Sequence, residues 1–209
     1  MRVATAVLII GATLITDAQA QSADVFAGTD SFAEAGYTPD HIAYPADRIN
    51  ERFELLMADS GLETFEMALA FAREKLSEAN VMIRGREAGL AWISIGLYKD
   101  YVKRAARALE EIAPDRLARY RLLFANNLLE DLHTISRGYV TMPVDIREFS
   151  LSPMVNAAFY QYELQRERMS AQERESVAAR ESAVRDAIEA MRQADRSRYE
   201  LRDQEVQPR

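Results

Sequence analysis

Apolar residues recur at helical spacing through long stretches of this chain, and this periodicity limits its possible folds more than any other feature. The first stretch runs from Glu63 to about Met82 and carries four apolar residues on one side, Phe65, Leu69, Ala72 and Leu76. The second keeps the spacing through Leu90, Ile93, Leu97, Tyr101, Ala105, Leu109 and Ile112. Residues three or four apart share one face of a helix, so the chain is predicted to be all-α.

Glycine and proline residues separate these stretches and mark the ends of the predicted helices. Pro114 with Asp115 starts a new helix, because proline in a first turn costs no hydrogen bond and an acid there suits the helix dipole. This helix is predicted to run to about Arg137, with a seam of Leu117, Phe124, Leu128, Leu132 and Ile135. Short connections at residues 85–89 and 113–115 favour antiparallel neighbours. We therefore expect an up-down helical bundle of about four to five helices.

Two predictions concern the packing of the first helices. Pro45 is expected to begin a short helix that ends near Gly61. The side of this helix that should face the core consists of Ile49, Phe53 and Leu56. Trp92 belongs to the most apolar stretch after the first twenty residues, and we expect it to be a core residue whose indole N–H has a partner.

Residues 139–151 break the helical period. Polarity alternates loosely between Val144 and Phe149, which predicts an extended crossover. Ser152 followed by Pro153 is then expected to begin another helix.

The C-terminal part of the chain is much more highly charged. Ser170 and Glu173 have the spacing of a capping box, and no glycine or proline interrupts the chain from there to about Leu201. Residues 170–203 are predicted to form one long charged helix, and residues 204–209 a disordered tail. The long helix has a narrow apolar stripe, which is a possible interaction surface and consists of Val177, Val184, Ile188, Met191 and Tyr199. Such a stripe fits a helix packed lightly on its own bundle, or a hairpin arm or coiled coil that binds another envelope protein or a second copy.

Residues 1–20 have the pattern of a secretory signal peptide. Arg2 precedes an apolar run that ends at Ile15, and small residues stand at Ala18 and Ala20, where a signal peptidase reads them. The run is shorter than the roughly 20 apolar residues that span a bilayer, which favours cleavage between Ala20 and Gln21 over an uncleaved anchor. The mature chain is then expected to be periplasmic or secreted, without an integral membrane span.

The predicted organisation after the signal has two further parts. Residues 21–44 lack a sustained period and contain Gly28, Gly36 and Pro39, so we expect an extended N-terminal arm. Residues 45–169 are expected to form the helical bundle that precedes the charged helix.

Charge and composition exclude several classes of function. The net charge is −7 at pH 7, and no Arg-rich or Lys-rich run free of acids is present, which argues against nucleic acid as a partner. It contains no cysteine, so it can form neither a disulfide framework nor a lipoprotein anchor.

Motifs for metal binding and catalysis are sparse. Glu130 and His133 form a Glu-x-x-His pair on one helix face, but a di-iron bundle needs two such pairs. His41, the only other histidine, has Thr38 three residues earlier. The hydrolase elbow, the zinc-protease motif and the phosphate-binding loops are absent from the sequence. We therefore assign no catalytic, metal or cofactor residue.

Two resemblances accompany this pattern. The segment from Met169 to Arg174 is similar to the Leu-Thr-x-x-Gln pattern of small helical periplasmic chaperones, with Gln172 one position early. A signal followed by long cysteine-free helices is also similar to minor pilus subunits of type IV secretion systems. Neither similarity transfers a residue role to this chain.

Two classes of function remain open. The first is a non-enzymatic periplasmic helical protein that binds another protein as adaptor, chaperone-like factor or component of an envelope or secretion assembly. The second is a small-ligand or metal-binding receptor or enzyme with a pocket between the central helices. That pocket would be lined by Trp92, Tyr98, Tyr101, Tyr120 or His133.

Overall fold

The computed structural model describes residues 35–141 and 144–206. Within them the chain is all-helical, which confirms the predicted all-α class for this part of the protein. The helices are α1 (Tyr44–Met57), α2 (Gly61–Arg84), α3 (Ala88–Leu109), α4 (Pro114–Thr141), α5 (Val144–Glu167) and α6 (Ala171–Val206). The predicted signal peptide, most of the predicted arm and residues 207–209 lie outside the described residues. None of the described helices is both long and apolar enough to cross a membrane.

Side-chain caps set the beginnings of two helices. Ser60 precedes α2, and its hydroxyl accepts a hydrogen bond from the backbone N–H of Glu63 at 3.1 Å. Ser170 and Glu173 form the predicted capping box before α6: the Ser170 N–H donates to the Glu173 carboxylate at 2.7 Å, and the Glu173 N–H donates to Ser170 Oγ at 3.2 Å. These bonds satisfy backbone donors that a helix start would otherwise leave free.

Replacement of Ser170 with Ala is expected to lower the free energy of unfolding by about 1 kcal/mol, because it removes one half of the capping box. Thermal or urea unfolding measures the change. Ser182→Ala is the matched control, since Ser182 is exposed within α6. An equal loss in the two variants would mean that the cap does not stabilise α6.

The core lies where α2 and α3 pack along their lengths, with α5 against α3 and α4, and α6 against α4. The four residues predicted for the core side of α2 are all buried: Phe65, Leu69, Ala72 and Leu76. Four residues of the predicted α4 seam are also buried: Phe124, Leu128, Leu132 and Ile135. These apolar faces follow the helical period because one side of each helix is covered and the other is not.

The predicted orientation of α1 is wrong. Ile49, Phe53 and Leu56 were expected in the core, and they are 68%, 59% and 77% exposed. The inward side instead carries Glu51 and Leu55, both buried. Polar partners fix this rotation, namely Lys75 on α2 and Tyr101 on α3, which both bind Glu51.

The predicted orientation of α3 is wrong at its beginning. Trp92 and Ile93 are about half exposed, at 51% and 45%. The core side is formed by Ala91, Ile95, Tyr98 and Val102. Apolar residues surround the first turns of this helix on every side, so spacing alone did not distinguish the covered face.

Two boundaries also differ from prediction. The described residues of the expected crossover are helical, since α4 continues to Thr141 and α5 begins at Val144, with Pro153 inside α5. The apolar residues of α5 are spread around the helix, so α5 lacks a clear amphipathic pattern. Its second half is stabilised by packing into the core, where the buried residues are Met154, Val155, Ala158 and Tyr162. The first residues of the predicted disordered tail are helical too, because α6 continues to Val206.

Candidate functional site

A buried lysine holds α1 against α2. The Lys75 side chain is fully buried, and its ammonium lies 2.5 Å from a carboxylate oxygen of Glu51 on α1 and also pairs with Glu78, one turn along α2. Burial alone would lower the pKa of Lys75, but its hydrogen bonds to Glu51 and Glu78 raise that pKa above the ordinary value. Lys75 is therefore a charged group, and its partners determine which side of α1 faces inward.

Tyr101 connects the same cluster to α3. The Tyr101 hydroxyl donates a hydrogen bond to Glu51, and the Arg48 guanidinium donates one to the Tyr101 oxygen at 2.5 Å. Burial and the bond to Glu51 raise the pKa of Tyr101 to about 12, so its hydroxyl keeps the proton that it donates. On α2, Glu78 accepts a further hydrogen bond from Ser94 Oγ at 3.0 Å.

The acids of this cluster have the spacing of a cation site. Carboxylate oxygens of Asp47, Glu51 and Glu74 lie within 4.8 Å of one another. The Lys75 ammonium is 3.9 Å from Asp47 and 3.7 Å from Glu74, so a protein cation already lies among these oxygens. We assign the cluster to pairing with Lys75, because its ammonium lies within 3.9 Å of all three carboxylates, and this pairing connects α1 to α2.

The outer side of α1 is apolar as a consequence of this orientation. Ile49, Phe53 and Leu56 are spaced four and three residues apart, so they form one stripe along the helix. Met57 extends this stripe at its end and is also more than half exposed. We call these four residues the outer face of α1.

A cationic groove runs beside the outer face, between α1 and α3. Its volume is about 690 Å³. The basic residues that line it are Arg48, Arg52, Lys103, Arg104 and Arg107, and the acids are Asp100 and Glu111. Arg48 is bound to Glu51 and Tyr101, and Arg104 donates to the Leu55 carbonyl at 3.4 Å. In the part of the chain that the structure describes, Arg52, Lys103 and Arg107 form no ion pair.

The stripe predicted as an interaction surface on α6 lies mostly inside the protein. Val177, Val184 and Ile188 are buried, and Met191 packs partly buried against the same core. The side chain of Tyr199 lies outside the described part. The buried members are covered by this chain's own helices, so they are not accessible to a partner helix in this structure.

Polar contacts attach α6 to the helices on which it packs. Glu181 is buried and accepts hydrogen bonds from the Tyr162 hydroxyl at 2.9 Å and from Arg166 at 2.9 Å, both on α5. Arg180 donates to the Asn126 side chain on α4 at 2.9 Å. These contacts and the buried stripe favour the interpretation of α6 as a helix packed on its own protein.

The aromatic and histidine residues predicted to line a ligand pocket have different surroundings. Tyr101 lines the cationic groove, whereas Trp92 is half exposed on α3. Tyr120 packs edge-on against Phe65. His133 is buried within α4.

The Glu130 and His41 side chains bind other residues of this chain. Glu130, the other member of the Glu-x-x-His pair, binds Arg73 at 3.0 Å and lies 3.8 Å from Arg180. His41 is exposed, stacks on Tyr37 and accepts a hydrogen bond from the Ala43 N–H at 3.1 Å.

A second buried acid lies away from the lysine cluster. The Tyr98 hydroxyl donates to Asp131 Oδ2 at 2.9 Å, and both side chains are buried between α3 and α4. Burial raises the pKa of Asp131 to about 7, although the Tyr98 hydrogen bond and the charge of Arg73 act in the opposite direction. Asp131 is therefore a group whose protonation is expected to change near neutral pH.

Sequence reasoning missed Lys75 and the cationic groove. Lys75 and Glu78 are a charged pair three residues apart in a strongly apolar helix, and this pattern could have indicated a buried ion pair. For the groove, the cluster of Lys103, Arg104 and Arg107 is a partial signal, but Arg52 belongs to a helix that is distant from them in sequence.

Comparison with known proteins adds no relative. No protein-family model matches the chain, and neither the curated proteins nor the solved structures contain a match to it.

Proposed function

We propose that this protein is an exported helical adaptor, chaperone-like factor or envelope assembly component that works by binding another protein through the outer face of α1. The observation that carries this proposal is the inverted orientation of α1, with charged residues inward and four large apolar residues outward. Exposed apolar patches of this kind occur where a protein binds a partner. The α6 stripe is not part of the proposed surface, because its described members are largely buried.

The buried charges support this assignment because they oppose any rotation of α1 that would hide its apolar side. Such a rotation would move Glu51 away from Lys75 and Tyr101. The buried Lys75 ammonium would then keep Glu78 but lose Glu51, and the buried Tyr101 hydroxyl would lose its acceptor, which destabilises the rotated arrangement. The outer face is therefore maintained by the fold, which is the arrangement that a permanent binding surface requires.

The proposed cellular setting follows from the N-terminal sequence. A signal peptide cleaved between Ala20 and Gln21 would deliver the mature chain to the periplasm or the exterior. We further propose that α2–α5 form an up-down bundle, with α6 as a long charged helix along it. Short connections and the packing of α2 on α3 support this arrangement.

Photo-crosslinking in the producing cells tests the binding surface. Benzoylphenylalanine replaces Phe53 in one variant and Tyr160 in a control, since Tyr160 is an aromatic residue of similar exposure on α5 (62% against 59%). A protein captured at position 53 and not at position 160 is identified by mass spectrometry and purified.

Binding of the captured protein is then measured with two substituted chains. Phe53→Ser is expected to weaken binding at least about tenfold, or about 1.4 kcal/mol, whereas Tyr160→Ser leaves it unchanged. Both variants should unfold within about 0.5 kcal/mol of the parent, because both side chains are largely exposed. Equal binding by the two variants, or no specific capture at position 53, would refute the proposal.

A further inference from the structure

The unpaired cations of the groove lie directly beside the apolar outer face. Arg52 is three residues after Ile49 and four before Leu56, so on the helix surface it neighbours both. Its side chain lines the groove together with Lys103 and Arg107 of α3. The outer face and the unpaired cations of the groove therefore lie side by side at α1.

The outer face of α1 and the cationic groove match a short helix in length. The 14 residues of α1 extend over roughly 21 Å at 1.5 Å per residue. The groove extends along α3 from Leu97 and past the end of that helix to Glu111, a similar number of residues. A helix of about four turns is long enough to contact the outer face and the cationic groove together.

The charge of the groove is opposite to that of the chain as a whole. Five basic residues and two acids line it, in a protein whose net charge is −7. Carboxylates that meet Arg52, Lys103 and Arg107 would displace no existing protein partner, because these three residues form no ion pair within the described part of the chain.

We infer that the partner segment is an acidic amphipathic helix, which packs apolar residues on the outer face of α1 and directs carboxylates into the cationic groove. This inference rests on the proposed function and specifies its partner. Apolar anchors at helical spacing provide affinity in such helix-in-groove contacts, and the charge pattern provides specificity and orientation.

A protein segment fits this surface better than an anionic membrane does. The cations line a concave groove, and its wall includes the apolar side chains of Leu55 and Leu97. Asp100 and Glu111 in the same groove would repel a continuous anionic surface. A helix can place separate carboxylates to meet the cations and avoid both acids.

Selection from a display library provides the main test. The probe is a library of helical peptides of about 16 residues, roughly 24 Å long, with randomised positions on all faces. The bait is the immobilised full chain. Selected peptides are expected to be more acidic than the starting library and to carry apolar residues at i, i+4 and i+7.

Substituted chains then locate the site of the selected peptides. Arg52→Gln with Arg107→Gln is expected to weaken binding about fivefold, because it removes two exposed charge pairs. Arg84→Gln with Arg174→Gln removes the same charge at exposed positions outside the groove and should leave affinity unchanged. Phe53→Ser should weaken binding at least about tenfold.

The remaining outcomes separate this inference from the proposed function. Selected peptides that depend on Phe53 but show no acidic enrichment, or no loss with the Arg52/Arg107 variant, would overturn the acidic-helix inference and leave the proposed binding face intact. If no selected peptide depends on Phe53, the acidic-helix inference is overturned. The proposed function fails separately, if photo-crosslinking finds no partner at position 53.

Three other occupants have their own readouts, and each would overturn the inference. The first is Phe53-dependent co-sedimentation with vesicles of phosphatidylcholine and phosphatidylglycerol, which would assign the face to a membrane. The second is a dimer that Phe53→Ser dissociates, measured by analytical ultracentrifugation. The third is a synthetic peptide of residues 21–34 that binds as tightly as the best selected peptide, which would assign the face to this chain's own segment.

Discussion

Replacement of Lys75 with Met is expected to lower the free energy of unfolding by about 3–5 kcal/mol, the cost of removing one partner from a buried ion pair. Met has nearly the length of Lys, so the loss reports the missing charge and not a large cavity. The carboxylate of Glu78 then remains buried without a cation, and Glu51 keeps only Arg48. Urea unfolding followed by circular dichroism measures the difference.

Lys99→Met is the matched control for this prediction. Lys99 lies on α3 and is only partly buried, so its replacement should change stability by less than about 1 kcal/mol. Hydrogen exchange should also show faster exchange in α1 of the Lys75→Met variant, because that helix loses its main polar contact with α2. Equal losses from the two variants would show that Lys75 does not stabilise the fold through its charge.

Asp131 is expected to make the protein less stable as the pH rises toward 7. Its pKa in the folded protein is about 7, against about 3.9 in an unfolded chain. Between these values the folded protein holds a proton that the unfolded chain has released, so the free energy of unfolding falls as pH increases. This difference in pKa lowers the free energy of unfolding by at most about 4 kcal/mol across that pH range.

Replacement of Asp131 with Asn should remove this pH dependence. The amide stays neutral, and its oxygen can still accept the hydrogen bond from Tyr98, so the variant should be more stable than the parent at pH 8. Urea unfolding between pH 4.5 and pH 8 compares the parent with this variant and with Asp186→Asn, an exposed control. Parallel profiles for the parent and Asp131→Asn would contradict a raised pKa at this position.

Local sequence features predicted most of the helices. The apolar faces of α2 and α4 follow a single 3.6-residue period, so each could be located within its own segment. The start of α6 was predictable for the same reason, since Ser170 and Glu173 satisfy each other's backbone groups within four residues.

Features that depend on residues distant in sequence were not predictable in this way. The α1 segment has a clear amphipathic pattern, yet its apolar side is exposed because Glu51 pairs with Lys75, 24 residues later, and with Tyr101, 50 residues later. The cationic groove likewise forms only when Arg52 is brought beside Lys103 and Arg107. The predicted crossover failed because a short, loose alternation of polarity does not exclude a helix that packing stabilises.

The sequence by itself determined the all-helical class of the described part, the core sides of α2 and α4 and the cap of α6. Each of these depends on interactions within one helical segment or on the spacing of its apolar residues. Only the tertiary structure decided which side of α1 is covered, that the α6 stripe is largely buried, and where unpaired cations gather. The physical reason is that burial and charge pairing depend on what lies opposite a side chain, which its own segment does not specify.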